Sequence, residues 1–422
     1  MINQSTIDFA LRHRLDDPRK LALTAKPGDG IDLIAALQQI AGWQAARRKL
    51  PSWAAVDGII YPPHLAMEQC SSENTARYKA RVAARLLGQA AGNGIMYDLT
   101  GGFGVDFSFL SPLFAKAVYV EQQEDLAEIA RHNFAVLGLK NAEVHCSTAA
   151  EILHSIDHAA MIYLDPARRD THGGRTFALA DCTPDVLSMM NELMTKTDLL
   201  MIKLSPMLDR HEVTRQLNDV RELHIVSVRN ECKEIVPVLL SSARDLSRDR
   251  DRRDCSVPAV HCVNDDNEFV FTATSEVAHI AGQVQVDAPN TVAGSFLYVP
   301  NASVMKAGCF DEIASRYCIR PLSANSHLFI SPRFIKDFPG RTFRITAVSS
   351  MNKRELRKTL GGIRQANIAV RNFPMTVEQL RRRLGLADGG DNYLFATTND
   401  NGEHIVLLCR KNFPPAKDTN ET

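Results

Sequence analysis

The sequence of 422 residues has no net charge, since 49 Lys and Arg residues balance 49 Asp and Glu residues. An average of zero says nothing about an anionic partner, so a basic surface has to be sought locally. The sequence also lacks an apolar run of about 18 residues, the length of a membrane-spanning helix. It does not open with a basic segment followed by an apolar stretch, which disfavours a secretory signal. We therefore expect an unprocessed, soluble, cytoplasmic protein.

Closely spaced cysteine pairs are also lacking. The nine cysteines are odd in number and scattered, which excludes a disulfide framework and a zinc ribbon and predicts reduced thiols. The histidines show no metal-ligand spacing, so we expect no metal site. What the sequence does have is 45% hydrophobic and 23% charged residues. This composition and length predict a globular chain of roughly two to four domains.

Hydrophobic patterning divides the chain into four predicted domains. Residues 1–90 have helical spacing and predict a helical N-terminal domain. In residues 91–275, short β-branched apolar runs alternate with helix-length segments, which is typical of parallel βαβ units. Because these runs are apolar on both faces, they predict a doubly wound α/β sheet covered by helices on both sides. Residues 276–340 predict a small ferredoxin-like α/β domain, and residues 341–415 a last domain.

Three local patterns give further expectations. Ser71 or Ser72 is a candidate N-cap for a helix over residues 75–87. The strand-like pieces 231–240 and 257–263 have no long helix between them and predict an antiparallel hairpin at the sheet edge. Residues 244–254 contain five arginines and four aspartates, a composition typical of a solvated loop.

The C-terminal domain carries the clearest charge asymmetry. Residues 341–384 contain eleven Lys or Arg residues against Glu355 and Glu378, a net charge of +9. Such a local excess indicates a polyanion-binding surface, although a solvated helix face is the alternative. The candidate RNA-binding residues are Arg381, Arg382, Arg383, Lys353 and Arg354.

The strongest chemical motif is residues 98–106, DLTGGFGVD, between a predicted strand and a predicted helix. A glycine-rich turn at this place lets a ligand approach the backbone. The dinucleotide spacing G-x-G-x-x-G fails, because Phe107 stands where the third glycine belongs. Asp98 instead opens the motif, which suits a ligand with an ammonium group, and Glu121 ends the next strand, where it can accept ribose hydroxyls. These residues favour S-adenosylmethionine (SAM) over NAD, while a purely structural turn stays an alternative.

On these residues, segment 94–240 resembles the class I SAM-dependent methyltransferases. The resemblance implies a seven-stranded, mostly parallel, Rossmann-like sheet, with the glycine loop against the methionine part of SAM and Glu121 on its ribose. Thr100 departs from the family's first glycine, and Thr148 stands where many members have an Asp that contacts adenine. The expected cofactor-binding residues are Asp98, Thr100, Gly101, Gly102, Phe103, Gly104, Asp106, Glu121, Gln122, Thr148, Ala149 and Asp165.

A second motif, residues 165–169 (DPARR), follows the apolar strand AMIYL. It resembles motif IV of methyltransferases that act on nucleobases. The Asp165 carboxylate and the Pro166 carbonyl can accept the N–H groups of an exocyclic amine and aim its lone pair. Arg168 can grip a phosphate, or the two arginines can pair with acids nearby. The expected catalytic residues are Asp165, Pro166 and Arg168.

Segments 68–73, 299–308 and 366–374 extend the resemblance to a methyltransferase family with a C-terminal THUMP-like domain. THUMP domains bind RNA, so the resemblance implies a base in rRNA or tRNA as substrate. The variant of the glycine motif is similar to that of an rRNA guanine-N2 methyltransferase, which suggests guanine N2. Two alternatives stay open: a small-molecule or protein methyltransferase, and a non-catalytic, SAM-sensing RNA-binding module. The intact pair Asp165 and Pro166 favours catalysis over sensing.

Overall fold

Two compact units make up the chain: Met1–Val228 with Lys233–Val260, and Arg229–Cys232 with His261–Thr422. The computed structural model describes residues 2–26, 28, 30–168, 179–241, 257–272, 293–323 and 325–411. The first unit contains both the N-terminal helices and the first nine strands. A boundary between compact units therefore does not fall near residue 90, where the hydrophobic pattern changes.

Six helices form the N-terminal segment, as its spacing predicts. They are α1 (Gln4–Arg12), α2 (Pro18–Thr24), α3 (Leu33–Lys49), α4 (Pro51–Ala54), α5 (His64–Gln69) and α6 (Glu73–Leu87). Ser72 is the N-cap of α6, because its side chain accepts a hydrogen bond from the Thr75 N–H. Ser71, the other candidate, instead donates to Asp106 in the protein interior. None of the described helices is long and apolar enough to cross a membrane.

The strands of the first unit begin with β1 (Ile95–Asp98), β2 (Lys116–Glu121), β3 (Ala142–Cys146) and β4 (Ala159–Leu164). They continue with β5 (Ala167–Arg168), β6 (Cys182–Thr183), β7 (Thr197–Ile202), β8 (Val220–Val228) and β9 (Glu231–Leu240). Seven of them lie side by side in the order β3-β2-β1-β4-β7-β9-β8, while β5 and β6 form a small separate sheet.

The pairing within the large sheet is parallel from β3 to β7 and antiparallel between β7 and β9. Every residue of β4 is buried, as expected of a strand covered on both faces. The covering helices are α7 (Val105–Leu110), α8 (Glu124–Val136), α9 (Ala149–Ser155), α10 (Val186–Lys196) and α11 (Arg210–Leu217). The doubly wound, mostly parallel α/β fold predicted from the sequence is confirmed.

The hairpin predicted at the sheet edge needs a correction. Strand β9 lies inside the sheet, between β7 and β8, and does not form an edge hairpin with residues 257–263. The chain turns between β8 and β9 at Arg229 and Asn230, both with positive φ (51° and 60°). Two successive left-handed residues favour a tight hairpin, which returns β9 beside β8. Residues 244–254, predicted to be a solvated loop, lie outside the described residues.

The second unit contains a mixed α/β segment. Its elements are β10 (Ala259–Asn264), which begins in the first unit, β11 (Asn267–Thr272), β12 (Phe296–Pro300), α12 (Ala302–Ala307), α13 (Phe310–Tyr317), β13 (Arg320–Pro321), β14 (Phe329–Ser331), β15 (Gly340–Ser350), α14 (Lys353–Leu360), β16 (Asn367–Arg371), α15 (Val377–Leu384), β17 (Asn392–Thr398) and β18 (His404–Arg410). Seven strands form a sheet in the order β13-β14-β12-β15-β18-β17-β16.

The strand order joins the segments on either side of the domain boundary predicted near residue 340. Strand β12 pairs with β15 along its full length, from Phe296 opposite Arg344 to Pro300 opposite Gly340. The strands before and after residue 340 therefore belong to one continuous sheet, and residues from both segments share a buried core cluster. Cutting the chain at this boundary would expose the backbone edge of β12.

Candidate active site

The glycine-rich motif forms the loop between β1 and α7. Gly102 and Gly104 have φ angles of 62° and 79°, a region that suits glycine. A Cβ at Gly101 would lie 2.3 Å from a ring atom of Tyr119, and one at Gly104 would lie 2.6 Å from Phe134. At Gly102, the nearest atom would be 3.9 Å away. Packing therefore explains the first and last glycines, whereas Gly102 faces open space that a ligand can enter.

Two side chains of β2 hold this loop. The Tyr119 hydroxyl donates to the Gly102 carbonyl at 2.5 Å. The Gly102 N–H donates to Glu121 Oε2 at 2.7 Å, and the Gln123 N–H donates to Oε1 at 2.8 Å. Each carboxylate oxygen can accept a further hydrogen bond. Glu121 thus lies beside the loop, as predicted, but it also fixes the loop's backbone, a role that sequence reasoning missed.

Asp98 ends β1 as a buried acid, with only 1% of its surface exposed. Burial raises the pKa of its carboxyl well above the usual range, and the negative charges of Asp106 and Asp165 raise this pKa further. A hydrogen bond from the Thr100 N–H lowers the pKa and offsets part of the rise. A cation brought beside this carboxyl would be stabilised. The residue therefore fits a ligand that carries an ammonium group.

Thr100 connects the two chemical motifs. Its hydroxyl donates to Asp98 Oδ1 at 3.4 Å and accepts a hydrogen bond from the Asp165 N–H at 2.6 Å. The Asp98 and Asp165 motifs therefore meet at the carboxyl ends of the neighbouring strands β1 and β4. The departure from glycine at Thr100 supplies a side chain that glycine lacks, and this side chain fixes the backbone of Asp165.

Substitution of Thr100 tests this connection. Thr100→Val keeps the shape of the side chain but leaves the partly buried Asp165 N–H without an acceptor. We expect the free energy of unfolding to fall by on the order of 1 kcal/mol, measured by denaturant titration. Thr100→Ser, which keeps the hydroxyl, should lose less. Equal stability of the valine and serine variants would contradict the connection.

Asp165 itself has one tied and one free oxygen. Its Oδ2 accepts a hydrogen bond from Lys203 Nζ at 2.5 Å, and within the part of the chain that the structure describes, no group donates to Oδ1. The side chain is 35% exposed, so the free oxygen belongs to a carboxylate that solvent or substrate can reach. Lys203 directly follows β7, and its N–H donates to the Leu164 carbonyl. A charged residue at the end of an apolar strand was a signal that sequence reasoning did not use.

A cluster of buried charges lies behind these residues. Lys79 Nζ contacts Glu234 at 2.7 Å and Asp106 at 3.1 Å, and all three side chains are buried. The hydroxyls of Ser71 and Tyr163 each donate to Asp106 Oδ2 at 2.7 Å. Asp106 was predicted to bind the cofactor, but its carboxylate is directed to these partners in the interior. Because Ser71, Tyr163 and Lys79 already contact its carboxylate, Asp106 supports the site from the protein interior.

Comparison with known proteins adds four findings. The sequence model of the THUMP domain-like family matches residues 340–411, and that of a ferredoxin-like domain matches residues 296–339. An uncharacterized S-adenosylmethionine-dependent methyltransferase of Mycobacterium tuberculosis (strain CDC 1551 / Oshkosh) is 26% identical over 323 residues, which cover 76% of this chain and 80% of that protein. The crystal structure of a provisionally assigned methyltransferase from Porphyromonas gingivalis W83 has a TM-score of 0.81 and 30% identity, covering 98% of this chain and 100% of that chain.

The chain belongs to this family of methyltransferases. It is a SAM-dependent methyltransferase with a C-terminal THUMP-like domain, so the predicted enzyme class, cofactor and family are confirmed.

Phe103, within the glycine loop, directs its side chain away from the opening at Gly102. It is 4% exposed and packs against Trp53 with ring centroids 4.9 Å apart. Tyr61 is a second aromatic neighbour, at 6.4 Å. The methyltransferase therefore uses this side chain to join the loop to the N-terminal helices. Only the Phe103 backbone is left to face a cofactor.

The predicted adenine-side residues lie after β2 and β3. Gln122 is exposed and directly follows Glu121. Thr148 is the N-cap of α9, where its hydroxyl accepts from the Glu151 N–H and its own N–H donates to the Glu151 carboxylate. Ala149 is the buried first residue of that helix. Thr148 thus has a local role in capping the helix, at a place where many members of the family have an aspartate.

The remaining residues of the second motif are only partly placed. Pro166 is half-buried directly after Asp165. The backbone of Arg168 ends β5, whereas its side chain lies outside the described part of the structure. Arg169 also lies outside the described residues. The predicted phosphate contact of Arg168 therefore stays a prediction.

The five basic residues predicted to bind RNA differ in their surroundings. Arg381 donates to the Ala366 carbonyl and pairs with Asp388 at 2.6 Å. Arg382 and Arg383, next to it on α15, are exposed, and so are Lys353 and Arg354 at the start of α14. Among the described residues, these four exposed cations form no ion pair. They are the residues available to an anionic partner, while Arg381 is tied to its own domain.

Proposed function

We propose that this methyltransferase transfers the methyl group of SAM to an exocyclic amine of a base in rRNA or tRNA, with guanine N2 as the suggested atom. The observation that carries the proposal is the meeting of the two motifs through Thr100. It joins the backbone of Asp165, whose Oδ1 accepts no hydrogen bond from the described residues, to the loop that contains Gly102. In this proposal residues 91–275 carry the chemistry and residues 341–415 bind RNA.

The residues around the glycine loop fit SAM. Asp98 would face the ammonium group, because its buried carboxyl gains from a nearby cation. The carboxylate of Glu121 would accept the ribose hydroxyls with its remaining lone pairs, and the open side of Gly102 would let the cofactor approach the backbone. When bound, SAM supplies an electrophilic methyl group. This chemistry needs no metal.

The role of Asp165 is to orient the acceptor. An exocyclic amine has two N–H groups, which Asp165 Oδ1 and the Pro166 carbonyl can accept, so that the nitrogen lone pair is directed at the methyl carbon. Proline fixes φ and therefore presents a carbonyl in a rigid position. Asp165 Oδ1 is also placed to take the proton that the amine releases after transfer. A non-catalytic SAM sensor has no need for a carboxylate held in this way.

The exposed cations of α14 and α15 support RNA as the partner. Clustered Lys and Arg residues bind polyanions through the release of counterions. Side chains cannot read the deep groove of A-form RNA, so recognition should depend on backbone and shape. The target base must be unpaired or flipped out to reach Asp165.

A labelling experiment tests the proposal. Purified protein is incubated with SAM carrying a radioactive methyl group and with total RNA from cells that lack the protein or contain it. We expect label in RNA from the deficient cells and much less in RNA from cells in which the site is already methylated. No incorporation into either RNA would reject RNA as the substrate.

Removing the carboxylate of Glu121 tests the cofactor site. We expect Glu121→Ala to weaken SAM binding by about 2 kcal/mol, because charge-assisted hydrogen bonds to the ribose are lost. Calorimetry measures this, and NAD should give no heat with either protein. Glu143→Ala is a matched control, since Glu143 is an exposed acid of the adjacent strand β3. Unchanged affinity in Glu121→Ala would remove this residue from the SAM site.

A further inference from the structure

Lys203 occupies an unusual place between the candidate acceptor and the buried charge cluster. Its Nζ donates to Asp165 Oδ2 at 2.5 Å, and its side chain is only 13% exposed. Asp106 and Glu234 also attract this ammonium group electrostatically. Neither the glycine motif nor the Asp165 motif contains Lys203, and its own role in the proposed reaction is not yet defined.

We propose that Lys203 is a positioning residue for methyl transfer: by binding Oδ2, its ammonium group holds the Asp165 carboxylate with Oδ1 turned to the substrate amine. This inference rests on the proposed role of Asp165. It adds a residue from the end of β7, a different strand from the one that carries the motif.

Lys79, not Lys203, is the direct ion-pair partner of the two buried acids of the cluster. Lys79 already contacts both Glu234 and Asp106, at 2.7 and 3.1 Å. The hydrogen-bond partner of Lys203 is instead Asp165. The acids of the cluster thus stabilise the charge of Lys203, and Lys203 donates its hydrogen bond to the half-exposed Asp165.

The protonation state of Lys203 agrees with this role. Burial by itself lowers the pKa of an ammonium group. Attraction from Asp165, Asp106 and Glu234 outweighs that effect and raises the pKa of Lys203 above its ordinary value. Lys203 is therefore charged throughout the neutral range. A charge-assisted hydrogen bond from it is stronger than one from a neutral donor.

Two hydrogen bonds, one of them from Lys203, restrict Asp165 to one orientation. Its N–H is tied to the Thr100 hydroxyl at 2.6 Å, and its Oδ2 is tied to Lys203. With backbone and one oxygen fixed, the position of Oδ1 is determined. Without Lys203, the carboxylate can rotate about its terminal bond. Oδ1 can then still accept a hydrogen bond, but it is no longer held in the position that orients the amine.

The test compares Lys203→Met with Lys79→Met. Both changes remove a buried ammonium from the same cluster, but only Lys203 touches Asp165. The acceptor is a whole extract of cells that lack the protein, the donor is SAM with a labelled methyl group, and label is counted separately in RNA, protein and small molecules. Rates are expressed per folded protein, measured by circular dichroism. Lys203→Arg is added because it keeps the charge and is the more readily accommodated variant.

For Lys203→Met, we expect kcat, taken as the rate at saturating extract, to fall about thirty-fold or more. The KM, taken as the amount of extract that gives half of that rate, and the Kd for SAM should stay within about threefold, which is the pattern of a lost transition-state interaction. Lys203→Arg should recover part of that loss. Lys79→Met should lower the melting temperature and keep most of its kcat. A kcat near wild type in Lys203→Met, or an equal fall in Lys79→Met, would overturn the proposal. If a methionine variant does not fold, Lys203→Arg decides. A kcat in Lys203→Arg as low as that of Asp165→Ala would then overturn the proposal.

Counting label separately in RNA, protein and small molecules distinguishes failure of the Lys203 proposal from failure of the proposed RNA substrate. Label in protein or small molecules rather than RNA would reject the RNA substrate, while the ratio of variant to wild-type rates would still report on Lys203. If wild type labels nothing, crystal structures of wild type and Lys203→Met decide. A rotated Asp165 carboxylate in the variant supports the positioning role, and an unchanged carboxylate overturns it.

Discussion

Asp165→Ala should lower kcat for methyl transfer by two orders of magnitude or more, while the Kd for SAM changes by no more than a few-fold. The size of the effect is that expected when a preorganised acceptor at the reacting group is lost. One oxygen of Asp165 is tied to Lys203 and the other accepts no hydrogen bond from the described residues, so alanine removes the group that is proposed to hold the amine. Steady-state rates with labelled SAM and calorimetry of SAM binding measure the two quantities.

A control for this variant is available at the opposite end of the same strand. Asp157 is exposed and lies just before the amino end of β4, whereas Asp165 follows its carboxyl end. Asp157→Ala makes the same chemical change far from the loop at Gly102 and should keep the wild-type rate. Equal losses of kcat and SAM affinity in Asp165→Ala would instead assign Asp165 to the cofactor pocket or to the fold.

The second large effect concerns RNA. We expect the intact protein to bind structured RNA with an affinity that falls steeply with salt, and reversal of the four exposed cations on α14 and α15 to weaken that binding strongly. Each lost phosphate contact should reduce the slope of log affinity against log salt by about 1. Filter binding over a range of salt concentrations measures this. The variant changes Lys353, Arg354, Arg382 and Arg383 to Glu.

The structure determines which variants are informative. A fragment ending near residue 335 would leave β12 without its partner β15, so its loss of binding would not distinguish unfolding from lost contacts. Reversal of Arg381 would break its pair with Asp388 and is left out for the same reason. Reversal of Arg19 and Lys20, exposed neighbours on α2, is the control. If the control and the fourfold variant bind RNA equally well, the C-terminal domain is not the RNA-binding part.

Much of the site could be predicted because its elements are local in sequence. The glycine loop follows an apolar strand directly, and so does Asp165, and the carboxyl ends of parallel strands share one edge of a sheet. The place of Glu121 at the end of β2 was predicted in the same way. These predictions need only strand ends and their order, which short apolar runs reveal.

Other features depend on contacts between distant residues. Lys79 and Glu234 are 155 positions apart, and a lysine in an amphipathic helix gives no sign that it is fully buried. The direction of the Phe103 side chain depends on Trp53, from a different segment. The role of Thr100 could not be seen either, because its partner Asp165 is 65 positions away. The position of β9 within the sheet likewise depends on which strand it pairs with.

The central claim is that this protein is a SAM-dependent methyltransferase of RNA, and one measurement tests it most directly. Nucleosides from the rRNA and tRNA of cells with and without the protein are compared by mass spectrometry. We predict that one methylated nucleoside, modified on an exocyclic amine, is absent without the protein and is restored by the wild-type gene but not by Asp165→Ala. Identical nucleoside profiles with and without the protein would contradict the claim.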